Sequence, residues 1–231
     1  MNDNASQQKK NFVYQEVFAD TVRRKYGSDS IITEKQLISK YGMSKSPVRE
    51  ALLQLCADDI IESLPRIGYR IKPVSISDIK SALVLRKMIE LTALKMAFPH
   101  ISEEQLNTMI ALYKESQEEK LNAKDPFIHW ELNTRFHITL CTFCGNKYFA
   151  KTLNTLMKTC FRGITSYYED SWKDGNDKGK SEWHKLLLDS IAARNYEKAM
   201  DCLEKDLSDL DSYFMIKPDA EPSLRDDFII M

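Results

Sequence analysis

The feature that most constrains this chain is a stretch of about forty residues, 33–72. There, two short helical patterns nearly touch and then give way to two β-rich runs around a turn. Thr33 is an N-cap candidate for Glu34-Lys35-Gln36-Leu37, and Gly42 closes that segment. A second segment, 44–55, begins only two residues later. Its Pro47 is tolerated because it falls in the first turn, where a missing N–H has no helical partner. Val48, Leu52 and Leu55 form one apolar stripe, while Lys45, Ser46 and Arg49 fall on a separate polar face. The runs 60–64 and 68–72 flank Pro65, Arg66 and Gly68, a hairpin signal. Upstream, Phe12, Val13, Val17 and Val22 predict a helix over 11–26, ended by Gly27.

Helix, helix, short turn, helix, hairpin is the order of a winged helix-turn-helix. Pro73-Val74-Ser75 reads as a linker. Beyond it the pattern is helical throughout, with helices predicted over 77–97, 102–121, 125–144, 147–170, 180–194 and 196–214. Ser102 to Gln105 is a capping box, and Asp125-Pro126 is a cap with proline at the first helical position. Gly145-Asn146 punctuates the third and fourth helices. Residues 173–180 are expected to form a solvated loop, and the tail 217–231 to be irregular. Six helices with short connections imply an antiparallel bundle. The expected fold class is therefore mostly α: an N-terminal winged helix-turn-helix with a small hairpin wing (1–73), then an all-α bundle (74–216).

With 231 residues there is room for both domains, and seven glycines and seven prolines are too few for a meander of short strands. The polar N-terminus lacks a leader pattern and no run is long and apolar enough to cross a membrane, so a cytoplasmic protein without a membrane partner is expected. Five cysteines, at irregular spacing, read as reduced thiols. Charge is unevenly spread. Residues 1–75 carry 12 Lys and Arg against 9 Asp and Glu, and the remainder 21 against 25. Seven basic residues and two acids, Asp29 and Glu34, lie between Arg23 and Arg49. A basic end on an acidic body suits a protein that turns one face to phosphates.

The string Ser44-Lys45-Ser46-Pro47-Val48-Arg49-Glu50-Ala51-Leu52, with the wing Arg66-Ile67-Gly68-Tyr69, resembles the DNA-binding domain of GntR-type regulators. The remainder resembles the FCD effector domain of the FadR subfamily. Its matching points are Arg86 and Glu90, Phe136-His137, Gly145-Asn146, His184 and residues 195–207. The resemblance implies a transcription regulator, commonly a repressor. Its homodimer would bind an inverted-repeat operator, and a small-molecule effector, commonly a carboxylate, would control it. DNA contacts are expected from Lys35, Lys45, Ser46, Arg49, Arg66 and Gly68. An arginine can take guanine O6 and N7 as a bidentate pair. Lys35 and Lys45 stand where family members often carry arginine, and lysine lacks the planar fork, so these two suit phosphate better than base edges.

Many FCD domains hold a metal through one Asp and three His. The matching positions here are Asn133, His137, His184 and Asp206, so Asn replaces the Asp and Asp replaces the last His. Two imidazoles and a carboxylate remain a ligand set for a divalent ion such as Zn²⁺, Ni²⁺ or Mn²⁺. The alternative is a metal-free pocket in which the histidines hydrogen-bond the effector. Arg86, Asn133, His137 and His184 are the expected effector residues, with Arg86 gripping an acid; a surface pair with Glu90 is its alternative. Cys141-Thr142-Phe143-Cys144 is a CxxC without a second pair, read as structural. The cluster Phe161, Tyr167, Tyr168 and Trp172 is read as core and pocket lining. A glycine-rich phosphate loop, G-x-S-x-G and H-E-x-x-H are all lacking, so no enzyme is expected. The rival readings are a helical metalloenzyme using His137 and His184, and a thiol sensor using Cys141 and Cys144.

Overall fold

Helix α1 (Asn2–Val22) buries Val13 and Val17 completely against α3 (Lys45–Ala57). The computed structural model describes residues 2–27, 30–122, 126–167 and 180–215. α1 starts well before residue 11, where apolar periodicity alone placed it. Its first turns are polar, with the good helix formers Gln7, Gln8, Lys9 and Lys10 following Asn2 to Ser6, and Gln7 donates to Asn11 across one turn at 3.0 Å. It also stops at Val22, with Arg24 in the left-handed region at φ 54°. The stop lies short of the predicted Tyr26.

Helix α2 (Glu34–Tyr41) starts at the N-cap foreseen at Thr33, which Gln36 completes into a capping box, with Gln36 N–H donating to Thr33 Oγ1 at 3.2 Å and Thr33 N–H to Gln36 Oε1 at 2.8 Å. Gly42 ends it at φ 62°, a left-handed cap that glycine adopts without a Cβ penalty. Strands β2 (Ile61–Leu64) and β3 (Gly68–Ile71) form the hairpin. A two-residue strand that the sequence did not suggest, β1 (Ile31–Ile32), pairs antiparallel with β3, giving the order β1-β3-β2. At Gly68, φ is 148° and a Cβ would stand 2.6 Å from the Ile32 carbonyl oxygen. The wing therefore lies so close to β1 that only glycine fits there.

The chain divides into two units, Met1–Val74 and Ser75–Met231. The second is all helical among the described residues: α4 (Ile76–Ala97), a 3₁₀ turn (Phe98–His100), α5 (Glu103–Asn122), α6 (Pro126–Thr142), α7 (Lys147–Tyr167), α8 (Lys180–Ala192) and α9 (Tyr196–Met215). α4 is the hub, packing on α6, α7 and α9. A Cβ at Gly163 of α7 would collide with the Ile79 side chain, so the glycine permits the close approach of α7 to α4. Leu94, Phe136, Leu187, Ile191 and Leu203 belong to the main core.

The 3₁₀ turn was not foreseen, and α6 ends at Thr142, so Cys144 lies beyond the helix. Lys180, the boundary shared by the predicted loop and the predicted helix 180–194, begins α8. The rest of that loop, Asp125, Tyr168, Trp172 and the tail 217–231 lie outside the described residues. No helix among the described residues is long and apolar enough to cross a membrane.

Candidate functional site

Two groups of side chains stand out, one at the surface of the first unit and one inside the second. In the first, burial of Val48, Ala51, Leu52 and Leu55 leaves Lys45, Ser46 and Arg49 exposed along one side of α3. Ser46 Oγ donates to Glu50 at 2.7 Å, one helical turn on. Lys35 is exposed at the start of α2. Arg66 is exposed at the wing turn with φ 67°, beside Ile67. Of the expected DNA residues, Gly68 is explained by its packing on β1 alone.

Glu34 was noticed in the sequence only as an acid in a basic stretch. Its carboxylate lies 3.7 Å from Lys45 Nζ and 4.0 Å from Arg49 Nε. Burial, with the adjacent Glu34 charge, also pushes the Tyr69 phenol above its ordinary value. One carboxylate thus ties α2, the basic side of α3 and the wing strand together. The available signal was its place in the first turn of a capped helix, where an acid also favours the helix dipole.

The interior group is built from four helices. Arg86 and Glu90, one turn apart on α4, are both buried, and Arg86 Nε donates to Glu90 Oε1 at 2.6 Å. The pair anticipated as a surface alternative exists, yet it is internal. The other Glu90 oxygen meets His137 Nδ1 of α6 at 2.6 Å. On the far side of the ring, His137 Nε2 is 3.3 Å from Asp206 Oδ2 of α9 and 3.2 Å from His184 Nε2 of α8. His184 Nε2 is 3.5 Å from the same Asp206 oxygen, and its ring stacks on Phe136 with centroids 4.0 Å apart. Asn133 sits half-buried one turn before His137 on α6.

Burial opposes charge throughout this cluster, but the pairing decides the outcome. It raises the Glu90 carboxyl, yet His137 and Arg86 more than reverse that and leave it below its ordinary value. Burial likewise raises Asp206, and the two histidines bring it down. His137, depressed by burial, is lifted above its ordinary value by Glu90 and Asp206. His184 stays lowered, because burial together with His137 and Arg86 outweighs Asp206. With its Nδ1–H directed at Glu90, a neutral His137 presents the Nε2 lone pair to His184 and Asp206, the arrangement in which a carboxylate orients a ligating imidazole.

The donor atoms of His137, His184 and Asp206 lie within 4.8 Å of one another. Metal–ligand bonds of about 2.0–2.1 Å in a tetrahedron imply ligand–ligand edges of about 3.4 Å. The observed separations of 3.2, 3.3 and 3.5 Å match one triangular face of such a shell. The residues present therefore fit a divalent ion.

Among the thiols, Cys141 is buried and its pKa is pushed up to about 12 by burial and by Cys144. Such a thiol is a poor nucleophile near neutral pH, in keeping with a structural cysteine.

A winged helix-turn-helix with a basic recognition-helix side, joined to a helical unit with a buried polar centre, defines a DNA-binding transcription regulator with an effector domain. The chain belongs to the GntR family of bacterial regulatory proteins: the model of that family matches residues 9–71, and the FCD domain model matches residues 81–209. It is 25% identical over 197 residues to the uncharacterized HTH-type transcriptional regulator BphR of Paraburkholderia xenovorans LB400, covering 82% of this chain and 78% of that one. It is 22% identical over 197 residues to the HTH-type transcriptional repressor GlaR of Escherichia coli K12, covering 81% and 87%. In fold it is similar to E. coli McbR/YncC, with a TM-score of 0.74 at 18% identity, covering 91% of this chain and 99% of that one. The matched families and relatives are transcription regulators, and the chain is not an enzyme.

Proposed function

We propose that the chain is a cytoplasmic, metabolite-responsive repressor. As a homodimer it binds a short inverted-repeat operator, and a small carboxylate held in the helical unit lowers its affinity for that DNA. The observation that carries the DNA half is the exposed row Lys45, Ser46 and Arg49 on α3, with Lys35 and Arg66 close by in sequence on α2 and the wing. Lysines there engage phosphate, and Arg49 reads guanine in the major groove. A repressor rather than an activator is favoured by the likeness to GlaR, itself named as a repressor.

The effector half rests on the His137, His184 and Asp206 triangle. His137, His184 and Asp206 would hold one divalent ion, Zn²⁺, Ni²⁺ or Mn²⁺, with Asn133 offering a weaker amide oxygen. Bound there, such an ion supplies a Lewis-acidic position for an effector carboxylate. Charge accounting supports an anion: Arg86 and Glu90 cancel, and two neutral imidazoles with one carboxylate leave a divalent ion one positive charge in excess. A metal-free pocket is the second reading. It is favoured by the placement of His137 between Glu90 and Asp206, where a proton can fill the role of a cation.

Binding to a pool of random duplexes, followed by sequencing, tests the DNA half. An enriched inverted repeat whose binding weakens steeply with salt is expected; no enrichment at low salt would refute it. Elemental analysis of untagged protein tests the metal: about one ion per chain, lost in His137→Ala, is expected. Equal metal content in both would sink the metal reading and leave the metal-free pocket.

A further inference from the structure

On a surface that meets a polyanion, an acid is a liability, because it repels phosphate and lowers the affinity for every duplex alike. Glu34 nevertheless stands beside the basic side of α3. Its Oε2 lies 3.7 Å from Lys45 Nζ and its Oε1 4.0 Å from Arg49 Nε. The two basic side chains are 69% and 61% exposed, and that of Glu34 is 27% exposed, so its carboxylate opens on the same surface. The Tyr69 phenol, buried in the wing strand β3, hydrogen-bonds this carboxylate as well. Glu34 is thus anchored by the first turn of α2 and by the wing, whereas Lys45 and Arg49 stand mostly in solvent.

In the major groove a G·C pair presents two acceptors, guanine N7 and O6, and then one donor, the cytosine N4–H. Guanine O6 and cytosine N4 are hydrogen-bonded to each other, about 2.9 Å apart. A protein that reads such a pair across its whole width must offer two donors and, close beside them, one acceptor. Arg49 and Glu34 are such a set. The guanidinium supplies the donors. Its 4.0 Å contact with the acid runs through Nε rather than the end of the fork, so the Nη edge remains for guanine. We infer that Glu34 is a specificity-determining residue for operator DNA: its carboxylate accepts the N4–H of the cytosine whose guanine partner Arg49 takes. The two side chains then read one G·C pair from both strands. A thymine in the cytosine's place turns its O4 acceptor on the carboxylate, and a phosphate there is repelled, so the acid acts against wrong partners as well as for the right one. The inference rests on the DNA half of the proposed function and goes beyond it by naming a second reader and the base it reads.

Selection from random duplexes with the full chain, with Arg49→Ala and with Glu34→Ala, all at one salt concentration, is the test. Wild type is expected to enrich a G·C pair that both variants render degenerate at the same place in each half-site. On the selected duplex, Glu34→Ala is expected to lower the ratio of operator to random-duplex affinity about tenfold, as the loss of one base-specific contact does. A second measurement needs only wild-type protein for its main effect. N4-methylcytosine at that pair keeps the base pairing but puts a methyl group in place of the N4–H that faces the groove. Wild type is expected to lose about the same factor on this duplex, and Glu34→Ala to be insensitive to the methyl group. A wild type that selects a sequence yet tolerates N4-methylcytosine at every position overturns the role of Glu34 and leaves the DNA reading standing. So does a sensitivity to the methyl group that Glu34→Ala retains, or a Glu34→Ala chain that tightens on all duplexes with its preference unchanged. A wild type that selects no sequence overturns the DNA reading and this inference with it.

Discussion

In the first unit the charges that define the site stand in solvent, while in the second they are enclosed. Arg49 keeps 61% of its side chain exposed and has Glu34 only at 4.0 Å. Arg86 keeps 4% and is locked onto Glu90 at 2.6 Å. The same residue type is thus prepared for two tasks. An exposed guanidinium loosely held by an acid can exchange that partner for a polyanion at little cost. A buried one must be balanced inside the protein, so it fixes geometry: Arg86 holds Glu90, Glu90 holds the His137 ring, and the ring aims Nε2 at His184 and Asp206.

That contrast can be broken at several points. The largest effect is expected from Glu90→Ala, which leaves Arg86 buried without its partner. The helical unit should lose about 3–5 kcal/mol, read as a lower unfolding temperature, whereas replacing Arg86 and Glu90 together by leucine should cost less. A loss below about 1 kcal/mol in Glu90→Ala would show that the cluster is not balanced internally. Next is Arg49→Ala, which should weaken operator binding about 10- to 100-fold while leaving thermal unfolding unchanged. Equal loss on every sequence would instead make Arg49 a phosphate contact.

A smaller effect concerns Asp20, whose buried carboxylate pairs with Lys25 at 2.8 Å and Lys40 at 2.6 Å. Burial raises its pKa, but the two lysines prevail and hold it below the ordinary carboxylate value. A depressed folded value means that its stabilisation is full above the unfolded pKa of about 3.9 and disappears as pH falls through the folded value. Asp20→Asn should cost about 1 kcal/mol at neutral pH, since both lysines are half exposed, and the difference from wild type should shrink in acid. Urea unfolding at pH 7 and pH 3 measures both. Smallest is Glu34→Gln: with the acid beside Lys45 and Arg49 neutralised, non-specific DNA binding should tighten about two- to threefold and depend more steeply on salt. In a separate check on the thiol reading, Cys141 should resist thiol reagents in the native state, because its pKa is pushed up to about 12.

The two units also differ in how much of them could be read beforehand. The helices of the first are announced by local chemistry: Thr33 and Gln36 close a capping box, Gly42 ends α2, and the stripe Val48, Leu52 and Leu55 faces inward. β1 escaped because a two-residue strand has no periodicity, and it exists only because β3 lies beside it. The start of α1 escaped because its polar residues leave no apolar pattern. In the second unit, His137, His184 and Asp206 were named from family resemblance, and i, i+4 spacing suggested the Arg86 and Glu90 pair. Nothing in the chain near residue 90 or 137 tells that one carboxylate bridges them.

What the amino-acid sequence determined by itself was whatever depends on neighbours within a turn or two: the caps, the apolar faces, the hairpin, and the exposed basic side of α3. Those interactions are short in range and follow from backbone hydrogen bonding and helical periodicity. Only the tertiary structure decided that Arg86 faces inward, that Glu90 orients His137 across 47 positions, and that α8 and α9 bring His184 and Asp206 to the same ring. The physical reason is that a buried charge takes its meaning from the partner across the core, and packing of helices distant in sequence chooses that partner.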